Sequence, residues 1–74
     1  MIKDRKTAET VLKNALNVTG SLNDSIYAVM AVGSEEEVRA YKRAVGHSMA
    51  EIFDRIVEPI FAAHPDLRPP EFQR

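Results

Sequence analysis

His47 and Glu51 lie four residues apart, the spacing that brings two side chains onto one face of an α-helix. An imidazole nitrogen and a carboxylate so placed can hold a divalent cation. A twofold copy would double them into a carboxylate–histidine site inside a helical bundle, the arrangement that di-iron bundles use. Such a site needs further inward carboxylates. Asp54 and Glu58 are nearby but fall on the outward side of the apolar pattern. The pair therefore reads first as an exposed histidine beside a solvated glutamate. A metal-binding bundle is kept only as a further alternative, and no cofactor is expected.

Arg39, Lys42 and Arg43 form a basic cluster around Tyr41, and Lys3, Arg5 and Lys6 form another near the N-terminus. A helix face of this kind could contact a phosphate backbone. Ten basic residues against eleven acidic ones give a net charge of −1, and the Glu35–Glu37 run and Asp24 dilute the local field. Nucleic-acid binding is the runner-up function, with a solvated, salt-bridged face as the plainer account.

Chemistry by covalent catalysis finds little to work with. The chain has no cysteine, hence no thiol nucleophile, no thiolate metal site and no disulfide framework. Ser21, Ser25, Ser34 and Ser48 lack a histidine and acid in a relay. His47 adjoins Ser48, but neighbouring helix residues point about 100° apart and do not face each other. No glycine-rich phosphate loop is present. A protein that is not an enzyme is the expectation.

These residues must be positioned by helices. Gly33-Ser34-Glu35-Glu36-Glu37 reads as a corner between two of them. Glycine suits a left-handed turn after a helix C-terminus. Ser34 with Glu37 three residues on makes a capping box, and three glutamates face the positive end of the next helix dipole. The glutamates are thus better explained by capping than as an acidic site.

Upstream, from about residue 5 to 32, Ala8, Val11, Ala15, Val18, Leu22, Val29 and Val32 make one apolar row. Leu12, Leu16, Thr19, Ile26 and Met30 make an adjoining one. Asp4 or Thr7 would cap this helix. Thr19-Gly20-Ser21 resembles a break, and Ser21 with Asp24 a second capping box, but the apolar stripe passes Gly20 without losing phase. A continuous helix is favoured, with Gly20 allowing close approach of another helix; a three-helix bundle turning at Gly20 is the alternative. Downstream, a second helix of about residues 35–63 carries Val38, Tyr41, Val45, Met49, Ile52, Ile56 and Ile60, with Phe53, Val57 and Phe61 beside them. Pro59 should kink it.

The expected domain is an all-α antiparallel helical hairpin over residues 1–64, followed by a Pro-rich extended tail over 65–74 in which Leu67 and Phe72 are the large apolar groups. Folding at the corner sets opposite one another residues whose numbers sum to about 67, so Asp24 should meet Arg39 or Arg43, and Lys13 should meet Glu51 or Asp54. Two helices in contact enclose no core, yet each carries two apolar rows. A homodimeric four-helix bundle would cover the second rows. Leu12, Leu16, Ile26, Met49, Phe53, Val57 and Phe61 are the expected dimer or partner interface. No segment approaches the ~20 apolar residues that span a bilayer, and no apolar run of signal-peptide length follows the charged N-terminus. A cytoplasmic interaction or adaptor protein, with no membrane partner, is the reading that results.

Overall fold

Asp4 starts the first helix. Its carboxylate accepts from the Thr7 amide at 2.9 Å and from the Thr7 hydroxyl at 2.6 Å, satisfying donors that a helix N-terminus leaves free. In the computed structural model, which describes residues 1–69, α1 then runs without interruption over Arg5–Val32. Ser21 and Asp24 lie inside it and form no second cap. A Cβ built on Gly20 meets nothing within 4 Å. Gly20 is thus neither a corner nor a site of close approach; it faces open space.

The seam of α1 is Ala8, Leu12, Ala15, Thr19, Leu22, Ile26 and Val29, alternating steps of four and three. That repeat keeps one stripe in line with a neighbouring helix. Thr19 is the polar member and is buried. Its hydroxyl donates to the Leu16 carbonyl at 2.7 Å, so no donor is stranded.

At the corner the Gly33 amide donates to the Val29 carbonyl at 2.7 Å. Gly33 is not left-handed, contrary to the sequence expectation: its φ is −86° and ψ 157°, which any residue can adopt. The need for glycine is steric instead. A Cβ there would stand 2.8 Å from the Val29 carbonyl oxygen and 3.2 Å from its Cγ1. Ser34 caps α2 (Glu35–Ile52) through the expected reciprocal box. The Glu37 amide donates to the Ser34 hydroxyl at 3.2 Å, and the Ser34 amide to the Glu37 carboxylate at 2.9 Å.

Pro59 acts differently from a simple kink. The chain widens into a π-helical turn over Phe53–Val57 and continues as α3, Glu58–Ala63. In a regular helix the proline ring would press on the Arg55 carbonyl and leave it without a donor. The wider turn lets the Glu58 amide reach back to the Phe53 carbonyl, and the extra residue absorbs the clash. Val57, Ile60 and Phe61 are all buried as a result.

The enclosed core sits at the open end of the hairpin. Ala8, Leu12 and Ala15 from α1 pack with Val57, Ile60 and Phe61, and Ile2, Val11, Ile52, Phe53, Ile56 and Leu67 close around them. Val57 and Ile60 are fully buried, each worth about 1.5–3 kcal/mol of hydrophobic transfer. Toward the corner the packing thins. Only Val45 is buried there, while Leu22, Ile26, Val29, Val38 and Met49 are half-buried. The molecule measures 45 × 23 × 19 Å, a single layer of paired helices.

The C-terminal segment folds back on this core. Pro65–Leu67 makes one 3₁₀ turn where an extended run was expected. His64 Nε2 donates to the Ile2 carbonyl at 2.7 Å, Leu67 packs on the core, and the Arg68 guanidinium lies 4.7 Å from the Phe61 ring centroid. Arg68 also meets Glu58 at 2.8 Å, and Arg5 pairs with Asp66. Phe72 lies outside the described residues.

The expected charge pairs across the hairpin do not form. Among the described residues no ion pair joins Asp24 to Arg39 or Arg43, or Lys13 to Glu51 or Asp54. Glu51 instead pairs with Arg55 one turn along its own helix. Asp24 and Lys13 are exposed, and exposed long side chains gain too little from pairing to be held in one geometry.

Candidate functional site

The expected interface residues divide into three groups. Leu12, Val57 and Phe61 are buried in the chain's own core; with their surface already covered by α1, the π turn and the C-terminal segment, they cannot face a partner. Ile26, Met49 and Phe53 are half-buried and could at most edge an interface. Leu16 is exposed at 39%. The sequence grouped these residues by row, but Phe53, Val57 and Phe61 lie where the π turn shifts the helical phase.

The apolar groups left open are others. Val18 is 49% exposed, Met30 48% and Val32 90%. Val11, Val18, Ser25 and Val32 are seven apart and flank the α1 seam on one side; Leu16, Asn23 and Met30 flank it on the other. The heptad spacing was the available signal for both flanks.

Among the described residues, shallow grooves follow the hairpin. One is bounded by Asn14, Asn17, Val18, Ser21, Leu22, Ser25 and Tyr41, and a second by Val29, Glu37, Ala40, Tyr41 and Ala44. Tyr41 borders both, so they form one continuous face. Among the described residues that line these two grooves, the ionisable side chains are the Tyr41 phenol and the Glu37 carboxylate, and the carboxylate is held below its ordinary value by the Ser34 amide and hydroxyl. The third groove lies at the corner among Met30, Gly33, Glu35, Val38, Arg39 and Lys42.

Arg39, Lys42 and Arg43 are exposed on one side of α2, and among the described residues none of them takes part in an ion pair. The second basic cluster is less available. Arg5 is engaged by Asp66 and Glu9, and its ionisation is pushed up chiefly by Asp66.

His47 and Glu51 are both exposed, and the Glu51 carboxylate is taken by Arg55. Asp54 is exposed and Glu58 is engaged with Arg68. Among the described residues no three histidine or carboxylate side chains converge, so the geometry adds no ligands to the pair. No helix among the described residues is long and apolar enough to cross a membrane.

Comparison with protein-family models, curated proteins and solved structures finds no significant match.

Proposed function

We propose that this is a small, non-catalytic cytoplasmic protein that self-associates through its helices and serves as an interaction or adaptor module. The observation that carries this reading is the uneven coverage of its apolar residues. One end of the hairpin encloses a core, while Leu16, Val18, Met30 and Val32 stay open along the rest. A second copy would cover such a flank at little cost in ordering, because the helices are already formed. Sedimentation equilibrium over a wide concentration range tests it. A dimer is expected; a monomer of 8.3 kDa at every concentration would sink it.

A second reading rests on Arg39, Lys42 and Arg43, three cations on one helix side without an ion pair among the described residues. A dimer would present two such patches to a nucleic acid. Mobility-shift assays at low salt with RNA and duplex DNA test it, and no shift at micromolar protein rejects it.

A further inference from the structure

The uncovered apolar residues lie on two different sides of the hairpin, and the two sides differ in charge. We infer that the partner-binding side is the neutral face centred on Tyr41, and that its occupant is a second copy of this chain; this rests on the self-association reading above. The face joins Val18, Ser21, Leu22 and Ser25 of α1 to Ala40 and Ala44 of α2, with Tyr41 between. It runs from Asn14 to Val29 along α1, about 22 Å at 1.5 Å per residue.

Charge decides between the two sides. Self-pairing about a twofold axis sets a surface against itself, so residues near the axis meet their own kind. A lysine or arginine there would meet a like charge or be desolvated without a partner. The opposite side carries Arg39, Lys42 and Glu35 around Met30. Among the described residues lining the Tyr41 grooves the charged side chain is Glu37, whose carboxylate already accepts from the Ser34 amide. The other polar groups there are neutral amides and hydroxyls, which can donate and accept in turn across an axis.

Shape and area agree. Ser21, Ala40 and Ala44 are small, so a second hairpin's helices can approach to about 8 Å, with Val18 and Leu22 available to fill the spaces between them. The chain exposes 5545 Å², roughly 1,000 Å² more than a compact monomer of its mass. A standard interface removes about 800 Å² from each partner.

Placing a like charge on each side separates the two faces. Ser21→Glu and Ala44→Glu alter the Tyr41 face at exposed helical positions; Leu16→Glu and Met30→Glu alter the opposite one. In sedimentation equilibrium, each of the first two should raise the dissociation constant about 100-fold, and each of the second two by less than about 3-fold. Circular dichroism checks that helix content is kept. For any variant that loses helix, oxidative cross-linking replaces it, with Ser21→Cys expected to form a disulfide dimer in this cysteine-free chain and Met30→Cys not. Dimers that survive Ser21→Glu and Ala44→Glu but not Met30→Glu, or that cross-link through Met30→Cys alone, overturn the assignment and leave self-association standing. A wild-type chain that stays monomeric overturns both.

Discussion

The Tyr41 hydroxyl of α2 lies 2.6 Å from Ser25 Oγ of α1, a hydrogen bond that ties the two helices in the half of the hairpin that encloses less core. Its direction follows from a second bond. Ser25 Oγ also sits 2.6 Å from the Leu22 carbonyl, which can only accept, so the single serine proton goes there. Tyr41 must then donate to Ser25. The pair holds the corner half in register and sets the Tyr41 ring between the two grooves of the neutral face.

Removing the hydroxyl tests that role. Tyr41→Phe keeps the ring and is expected to cost about 1 kcal/mol, the usual net worth of such a bond. For a chain this size that lowers the melting temperature by about 4–8 °C. Ser25→Ala should do much the same. The double variant should cost clearly less than the sum of the two, because one interaction is removed twice. Additive losses would show that the two side chains act independently.

The core at the open end predicts a gradient of stability along the hairpin. Ile60→Ala empties part of a fully enclosed site and should cost about 2–5 kcal/mol, a large fraction of the stability of a domain this small. Val38→Ala, at a half-exposed position near the corner, should cost about 1 kcal/mol or less. Amide hydrogen exchange reads the same gradient without mutation. Protection should be greatest around Leu12 and Ile60 and weaker around Ile26 and Val38. Equal protection along α1 would contradict it.

The hairpin itself was legible in the sequence because each of its signals is local. A near-heptad apolar repeat, a cap at Asp4 or Thr7 and a Ser34–Glu37 capping box depend only on neighbours a turn away, and α1, the corner and the start of α2 follow them. What was not legible depends on spacing in three dimensions. Pattern alone called for a left-handed Gly33; the clash with Val29 that in fact demands glycine becomes visible only when the chains are packed. The rows containing Val57 and Phe61 read as surface for a partner when the helix is taken as regular up to a kink at Pro59. The π turn at Phe53–Val57 adds a residue and turns them inward. The neutral face was missed as a unit because its two halves are far apart in sequence and join only at Tyr41.

Acid should loosen both helix starts and the C-terminal clasp together. Hydrogen bonds from the Thr7 hydroxyl and amide hold Asp4 below the ordinary aspartate value of 3.8. The Ser34 amide and hydroxyl hold Glu37 below the ordinary glutamate value of 4.5, and Arg5 lowers Asp66. For a group depressed on folding, the unfolded chain binds the proton first as the pH drops. Its contribution is therefore complete above the ordinary value and lost as pH falls through the lower folded one. Melting temperature should hold from neutrality to about pH 5 and decline below about pH 4. Asp4→Ala and Asp66→Asn should each lower it at pH 7 and flatten the decline. A wild-type curve that is level down to pH 2.5 would contradict these roles.

Two glycines predict opposite outcomes from one added methyl group. Gly20 lies within α1, is exposed, and has no atom within 4 Å of a built Cβ. Gly20→Ala should gain close to the full propensity difference, about 1 kcal/mol, because alanine narrows the unfolded ensemble and meets no obstacle. Gly33 has an ordinary φ, so backbone conformation alone would accept alanine there. The obstacle is the Val29 carbonyl at 2.8 Å, which is fixed by its bond from the Gly33 amide and cannot retreat without opening the corner. Gly33→Ala should therefore cost on the order of 1–3 kcal/mol, as overpacking does. The comparison is made by thermal melting of the two variants at equal protein concentration, since self-association would otherwise shift both. If Gly33→Ala melts no lower than wild type, the corner does not depend on that close approach. If Gly20→Ala destabilises, α1 bends or packs at that point in solution, and the uninterrupted helix is the feature to revise.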